Sequence, residues 1–159
     1  MDYILDIFPI VISVIALFVS VHNLFSSKIR ERKQATLDAF DILQREVLDG
    51  IRNVKKKDTI KLGRMGKESN PELWRELTLY LVRLERFSVG VNTRVYDLRV
   101  LNRLVGSYLI DVYYIIEPVI IKKREMSANI KKPNKKTYDE FERVIERLEK
   151  IRKRTPKAK

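Results

Sequence analysis

Cysteine is absent from the 159-residue chain. Disulfides, thiolate zinc sites and thiol nucleophiles are therefore excluded together. Histidine occurs once, as His22, which removes most nucleophile-histidine-acid triads and most clustered imidazole metal sites. Cations are missing from the first 27 residues, although the whole chain carries 33 Lys and Arg against 21 Asp and Glu, a formal net of +12. Every Lys and Arg lies at or after Lys28. A chain this basic is drawn to anionic surfaces, phospholipid headgroups or nucleic acid.

The cation-free front is also apolar. No charge falls between Ile7 and Ser27, and Ile7–Val21 holds eleven Ile, Leu, Val or Phe residues. On an insertion scale such residues favour the bilayer by roughly 5 kcal/mol in all. As a helix, Tyr3 to Phe25 would run about 34 Å, enough to cross the hydrocarbon. Asp6 sits near one end, and His22 and Asn23 lie at headgroup depth at the other. A cleaved signal peptide needs a basic n-region and a small-residue cleavage site. The n-region here is acidic, and Asn23-Leu24-Phe25 offers no such site. Lys28, Arg30, Arg32 and Lys33 follow the span directly. The positive-inside rule places them in the cytoplasm with the N-terminus outside, where they are expected to contact lipid headgroups.

Four further helical stretches follow. Lys28 to about Lys57 carries Phe40, Leu43, Val47, Ile51 and Val54 at spacings of three and four, one buried stripe. It has no Pro or Gly before Gly50 and can continue the membrane helix as one rod. Asp58–Ser69, polar and containing Gly63 and Gly66, reads as a loop. Asn70-Pro71-Glu72 is a strong helix start, with Asn as cap and Pro at the first position. Gly90–Thr93 reads as the break after that helix. Asp97 to about Arg124 bears a wide apolar stripe that suits a central bundle helix, with Pro118 expected to kink it or end it early. Arg103, Asp111 and Glu117 argue against a second span there. Lys122–Lys136 is basic, contains Pro133 and reads as a solvated loop. Thr137-Tyr138-Asp139-Glu140 matches a capping box for a last helix that buries Phe141, Val144, Ile145, Leu148 and Ile151. No strand alternation and no internal repeat stands out.

The expected architecture is all-α. It has an N-terminal transmembrane helix (1–27), an antiparallel cytoplasmic helical bundle (28–155) and a disordered tail (156–159).

Chemistry is sparse. Gly63-Arg64-Met65-Gly66-Lys67 fails as a phosphate-binding loop, because Glu68 stands where Ser or Thr is needed and Lys61 where the first Gly is needed. Interleaved carboxylates and cations from Asp139 to Lys150 describe a solvated, ion-paired helix face. Glu85, Arg103, Asp111, Glu117 and Arg124 border apolar stripes and are candidates for a buried ion-pair network, a device that fixes register more often than it catalyses. The tyrosines suit a core rim with hydroxyls reaching water. The basic segments Arg52–Lys67, Lys122–Lys136 and Lys150–Lys159 come without helix-turn-helix or zinc-finger spacing.

Several short motifs fall in order along the chain. They are Arg32 with Ala35-Thr36-Leu37, then Leu84-Glu85-Arg86-Phe87 with Gly90-Val91, then Tyr96-Asp97, and finally Arg124 followed by Tyr138 and Phe141. In these the chain resembles the family called domain of unknown function forty-seven sixty, small prokaryotic single-pass membrane-anchored helical proteins. The resemblance implies the architecture above and no known activity.

The leading expectation is a non-enzymatic, membrane-anchored interaction or scaffold domain of the cell membrane, which binds a protein partner or self-associates, with no metal or cofactor. The alternative is an electrostatic binder of anionic lipid or, less favoured, nucleic acid. An enzyme built on Glu85 and an arginine ranks last.

Overall fold

A computed structural model describes residues 2–128 and 137–154, with side chains from 12 to 127 and from 137 to 153. All regular structure in these residues is helical, arranged as five rods. The first rod is unbroken from its start to Arg52. It comprises α1 (Asp2–Leu43), a π-helical turn (Gln44–Leu48) and α2 (Asp49–Arg52). Then follow α3 (Lys56–Met65), a 3₁₀ turn (Gly66–Glu68), α4 (Pro71–Asn92), α5 (Leu98–Ala128) and α6 (Asp139–Arg154).

The π-helical turn was not legible in the sequence, and tertiary contacts explain it. A π turn leaves some carbonyls without their usual i+4 donor. Here the Arg83 guanidinium donates to the Glu46 carbonyl at 3.1 Å, and the Tyr108 hydroxyl donates to the Leu48 carbonyl at 3.0 Å. The turn also places Val47, Leu48 and Ile51 in the core.

Residues 58–69, expected as a loop, are mostly helix. α3 packs along α5, and its Gly63 sits against Pro118, where an added Cβ would come within 2.7 Å of the proline Cβ. Gly63 is there for close approach rather than for a turn. Pro118 neither ends α5 nor shortens it, since the helix runs on to Ala128. α4 starts as the sequence indicates, with the Asn70 side chain accepting from the Leu73 amide at 3.1 Å. It continues through Gly90 to Asn92, so the break comes at residues 93–97. Gly90 is needed because the Tyr96 ring lies directly against it. Of the expected loop at 122–136, residues 122–128 are the end of α5. The remainder, with Pro133, and the tail at 156–159 lie outside the described residues.

Side-chain pairings give the directions. Arg83 meets Glu46 and Tyr80 meets Gly50, so α4 runs antiparallel to the first rod. Arg124 meets Asp139 and Arg152 meets Asn102, so α6 runs antiparallel to α5. The core between them includes Leu77, Leu81, Leu84, Leu101, Leu109, Val112, Ile116, Phe141 and Leu148, all at 1% exposure or less.

Among the described residues two helices are long and apolar enough to span a membrane: the first rod from Ile12, and α5. They differ in surroundings. The apolar window of the rod is wholly exposed, while that of α5 is 39% buried and faces the core with Leu101, Leu109, Val112 and Ile116.

Candidate functional site

Two polar latches hold the bundle, and a basic cleft opens beside the first. The first latch joins the rod to the turn between α4 and α5. The Thr36 hydroxyl, fully buried, donates to the Arg32 carbonyl and accepts from the Asp97 amide, both at 2.7 Å. The Asp97 carboxylate caps α5 by accepting from the Arg99 amide at 2.8 Å, and it accepts from the Arg32 guanidinium at 3.3 Å. Burial pushes the Asp97 carboxyl up, but the Arg99 and Val100 amides and the Arg32 charge outweigh this and hold it below its ordinary value. The Tyr96 ring stacks on Phe87 at 5.1 Å and completes the joint.

The second latch fixes the start of α6. The Glu85 carboxylate, from α4, accepts from the backbone amides of Glu140 and Phe141 at 3.2 and 2.9 Å. It caps a helix that belongs to another part of the chain, an anion where the helix dipole favours one. The Glu140 carboxylate, the acid of the expected capping box, accepts instead from the Asn92 side chain at 2.8 Å and from Arg143 at 2.9 Å. Arg124 donates to the Thr137 carbonyl, Asp139 and Glu142 at 3.0, 3.3 and 2.6 Å. That arginine holds the Glu142 carboxyl below its ordinary value, against the effect of burial and with help from the Tyr113 hydroxyl. Tyr138, just before α6, is buried and adopts φ +67°, a left-handed conformation costly for a bulky residue. Packing and the latch around it hold it there.

The five residues expected as one ion-pair network are not brought together. Glu85 and Arg124 serve the α6 latch through separate bonds. Arg103 and Asp111 are exposed and Glu117 is half-buried, and none of the three has a hydrogen bond or ion pair among the described residues. The tyrosine hydroxyls do not simply face water. Tyr113 donates to Glu142 at 3.0 Å, Tyr114 to Glu149 at 2.6 Å and Tyr80 to Glu76 at 2.5 Å. Burial and its carboxylate partner push the Tyr80 hydroxyl up to about 12. Among the described residues no group of three Asp, Glu or His could hold a metal ion.

The cleft has a volume of about 730 Å³ and lies between the rod, the α4–α5 turn, the first turns of α5 and the C-terminal half of α6. Among the described residues six cations line it, Arg32, Lys33, Arg94, Arg99, Arg103 and Arg147, against the single carboxylate of Asp97. That carboxylate is already engaged by the latch. Arg147 donates to the Asn92 side chain at 2.8 Å. The Lys33, Arg94, Arg99 and Arg103 side chains have no partner among the described residues and are exposed. Ile29, Val91, Leu98 and Ile151 add apolar wall between the charges. Of these cations sequence reasoning singled out Arg32, Lys33 and Arg103. It missed Arg94, Arg99 and Arg147. The available signal was Thr93–Arg103, three arginines with one acid, and Arg99 and Arg103 on one helical face.

Residues 10–148 match the family described as Domain of unknown function (DUF4760). The chain belongs to that family. Several residues of the short motifs quoted above build the two latches. Arg32, Thr36, Phe87, Gly90, Tyr96 and Asp97 build the first, and Glu85, Arg124 and Tyr138 the second. No match was found among the curated proteins or the solved structures.

Proposed function

We propose that this DUF4760 protein is a single-pass membrane-anchored, non-enzymatic binding domain. Its first rod crosses the bilayer with the N-terminus outside, and the bundle rests against the cytoplasmic leaflet. The observation that carries the reading is the contrast along one helix. Leu17, Phe18 and Phe25 are 64%, 73% and 63% exposed, with no neighbour among the described residues to cover them. Exposure of that many large apolar side chains in water would be strongly unfavourable, and a bilayer removes the cost. Lys28, Arg30 and Lys33, exposed just beyond, suit the headgroup layer of the inner leaflet. Arg32 faces the same layer but is partly engaged with Asp97.

The latch at Arg32, Thr36 and Asp97 makes anchor and bundle one rigid piece, so the bundle holds a fixed attitude to the membrane. That suits a scaffold or reader rather than a domain on a flexible tether. Carbonate extraction combined with protease added to intact and to opened cells tests the reading. The expected result is a protein that stays with the lipid and is cut in its C-terminal portion only after the cells are opened. Release by carbonate, or cutting in intact cells, contradicts it.

A further inference from the structure

We propose that the basic cleft binds a phosphate group, and that the group belongs to an anionic phospholipid of the membrane that holds the rod. The inference rests on the membrane-anchored reading and adds the ligand and its site. Three observations carry it.

The first is charge without partners. Lys33, Arg94, Arg99 and Arg103 converge on one cavity of about 730 Å³, and the one acid in its wall is engaged by the α5 cap and Arg32. Structural cations find carboxylates, as Arg124 does in the second latch. These four have none among the described residues, although like charges brought together repel. An external anion resolves that repulsion, and a phosphate group offers the oxygens that guanidinium forks match.

The second is position. Ile29 and Lys33 line the cleft and lie four and eight residues beyond Phe25 on the rod. On an α-helix that is about 6 and about 12 Å along the axis. The headgroup layer occupies about 5 to 8 Å beyond the hydrocarbon on each side. Ile29 thus falls within the headgroup layer and Lys33 just beyond it, so the cleft opens at the depth of the lipid phosphates from their cytoplasmic side.

The third is the mixture of wall chemistry. Ile29, Leu98 and Ile151 stand among the cations, a combination that suits the glycerol end of a lipid. A nucleic-acid strand fits less well. The cations line one cavity rather than a groove that follows successive phosphates. Its one aromatic residue, Tyr96, is already stacked on Phe87, which leaves little for a base to stack on.

The test uses the full-length protein in dodecyl maltoside, with bound molecules counted by native mass spectrometry. Phosphatidic acid, phosphatidylcholine, pyrophosphate and a single-stranded RNA oligomer are titrated in turn. The double variant Arg99→Gln/Arg103→Gln is compared with Lys57→Gln/Lys61→Gln. The second pair removes the same charge from exposed positions of α3, at the other end of the bundle. The expected result is preference for phosphatidic acid over phosphatidylcholine and loss of roughly thirty-fold in its affinity in the cleft variant. The α3 variant keeps its affinity, and both variants keep the parent melting temperature. Equal loss in both variants would show a diffuse charge effect and overturn the assignment. Tighter binding of pyrophosphate or of RNA than of phosphatidic acid would overturn the lipid source. Carbonate extraction of the parent protein separates the two readings. A protein that stays in the membrane yet ignores phosphatidic acid sinks the cleft alone, whereas one that washes off sinks the anchor on which the cleft proposal stands.

Discussion

The two halves of the first rod belong to one helix and obey different rules. Between Ile12 and Ile29 every large apolar side chain is exposed, on all sides of the helix. Between Leu43 and Ile51 the apolar side chains Leu43, Val47, Leu48 and Ile51 are 4% exposed or less, and the charged ones alternate with them on the outer face. A helix with one apolar stripe needs a neighbour on one side, while a helix apolar all round needs an apolar medium. The change from one rule to the other falls between Ile29 and Thr36, where the Arg32–Thr36–Asp97 latch sits. The joint between the exposed apolar segment and the bundle is thus packed and hydrogen-bonded rather than a linker.

The comparison can be broken most severely by truncating one side chain in each half. Ile51→Ala should cost about 2–4 kcal/mol of bundle stability through the cavity it leaves. Leu17→Ala should change it by less than about 0.5 kcal/mol. Thermal unfolding in detergent, followed by the fluorescence of the single tryptophan, Trp74, reads both. Equal losses would mean that the two halves share one environment.

Asp97→Ala sharpens the comparison at the joint. It removes the acceptor for the Arg99 and Val100 amides and for Arg32, with an expected cost of about 1–2 kcal/mol. Hydrogen exchange should quicken from Arg32 to Leu43 and stay slow from Ile12 to Phe25. Faster exchange throughout the rod would show that the latch does not divide the halves. Glu85→Ala acts at the other latch and should cost about 1 kcal/mol, with faster exchange confined to the first turn of α6.

Acid should loosen both latches. Asp97 and Glu142 have folded-state values below their ordinary ones. Their stabilisation is therefore fully present only above the ordinary values of 3.8 and 4.5, and is lost as pH falls through the lowered values. The melting temperature should be flat through neutral pH and fall on acidification below about pH 4. A fall beginning near neutrality would point to other groups.

Much of the architecture was legible, and the gaps share one physical origin. Period and caps located α4, α5 and α6, because apolar spacing and the Asn70-Pro71 start are local signals. α3 was missed because Gly63 and Gly66 read as turn residues, whereas Gly63 answers to Pro118, distant in sequence. Gly90 misled in the same way, since it makes room for Tyr96 rather than ending its helix. The π turn depends on Arg83 and Tyr108 reaching carbonyls of another helix, which no local pattern encodes. Glu85 drew attention as an acid beside an apolar stripe, but its role as a cap for α6 required the fold. The cleft is the clearest case. The basic segment Arg52–Lys67, prominent in the sequence, does not form it. It is assembled from cations contributed by the rod, the α4–α5 turn, the start of α5 and α6.

Because the chain has no thiol of its own, single introduced cysteines give the most direct measurement. Asp2→Cys, Phe18→Cys and Leu79→Cys would each be treated with a membrane-impermeant maleimide in intact and in permeabilised cells. The account predicts that Asp2→Cys reacts in intact cells, that Leu79→Cys reacts only after permeabilisation, and that Phe18→Cys reacts in neither. Labelling of Phe18→Cys in either preparation, or of Leu79→Cys in intact cells, would contradict it.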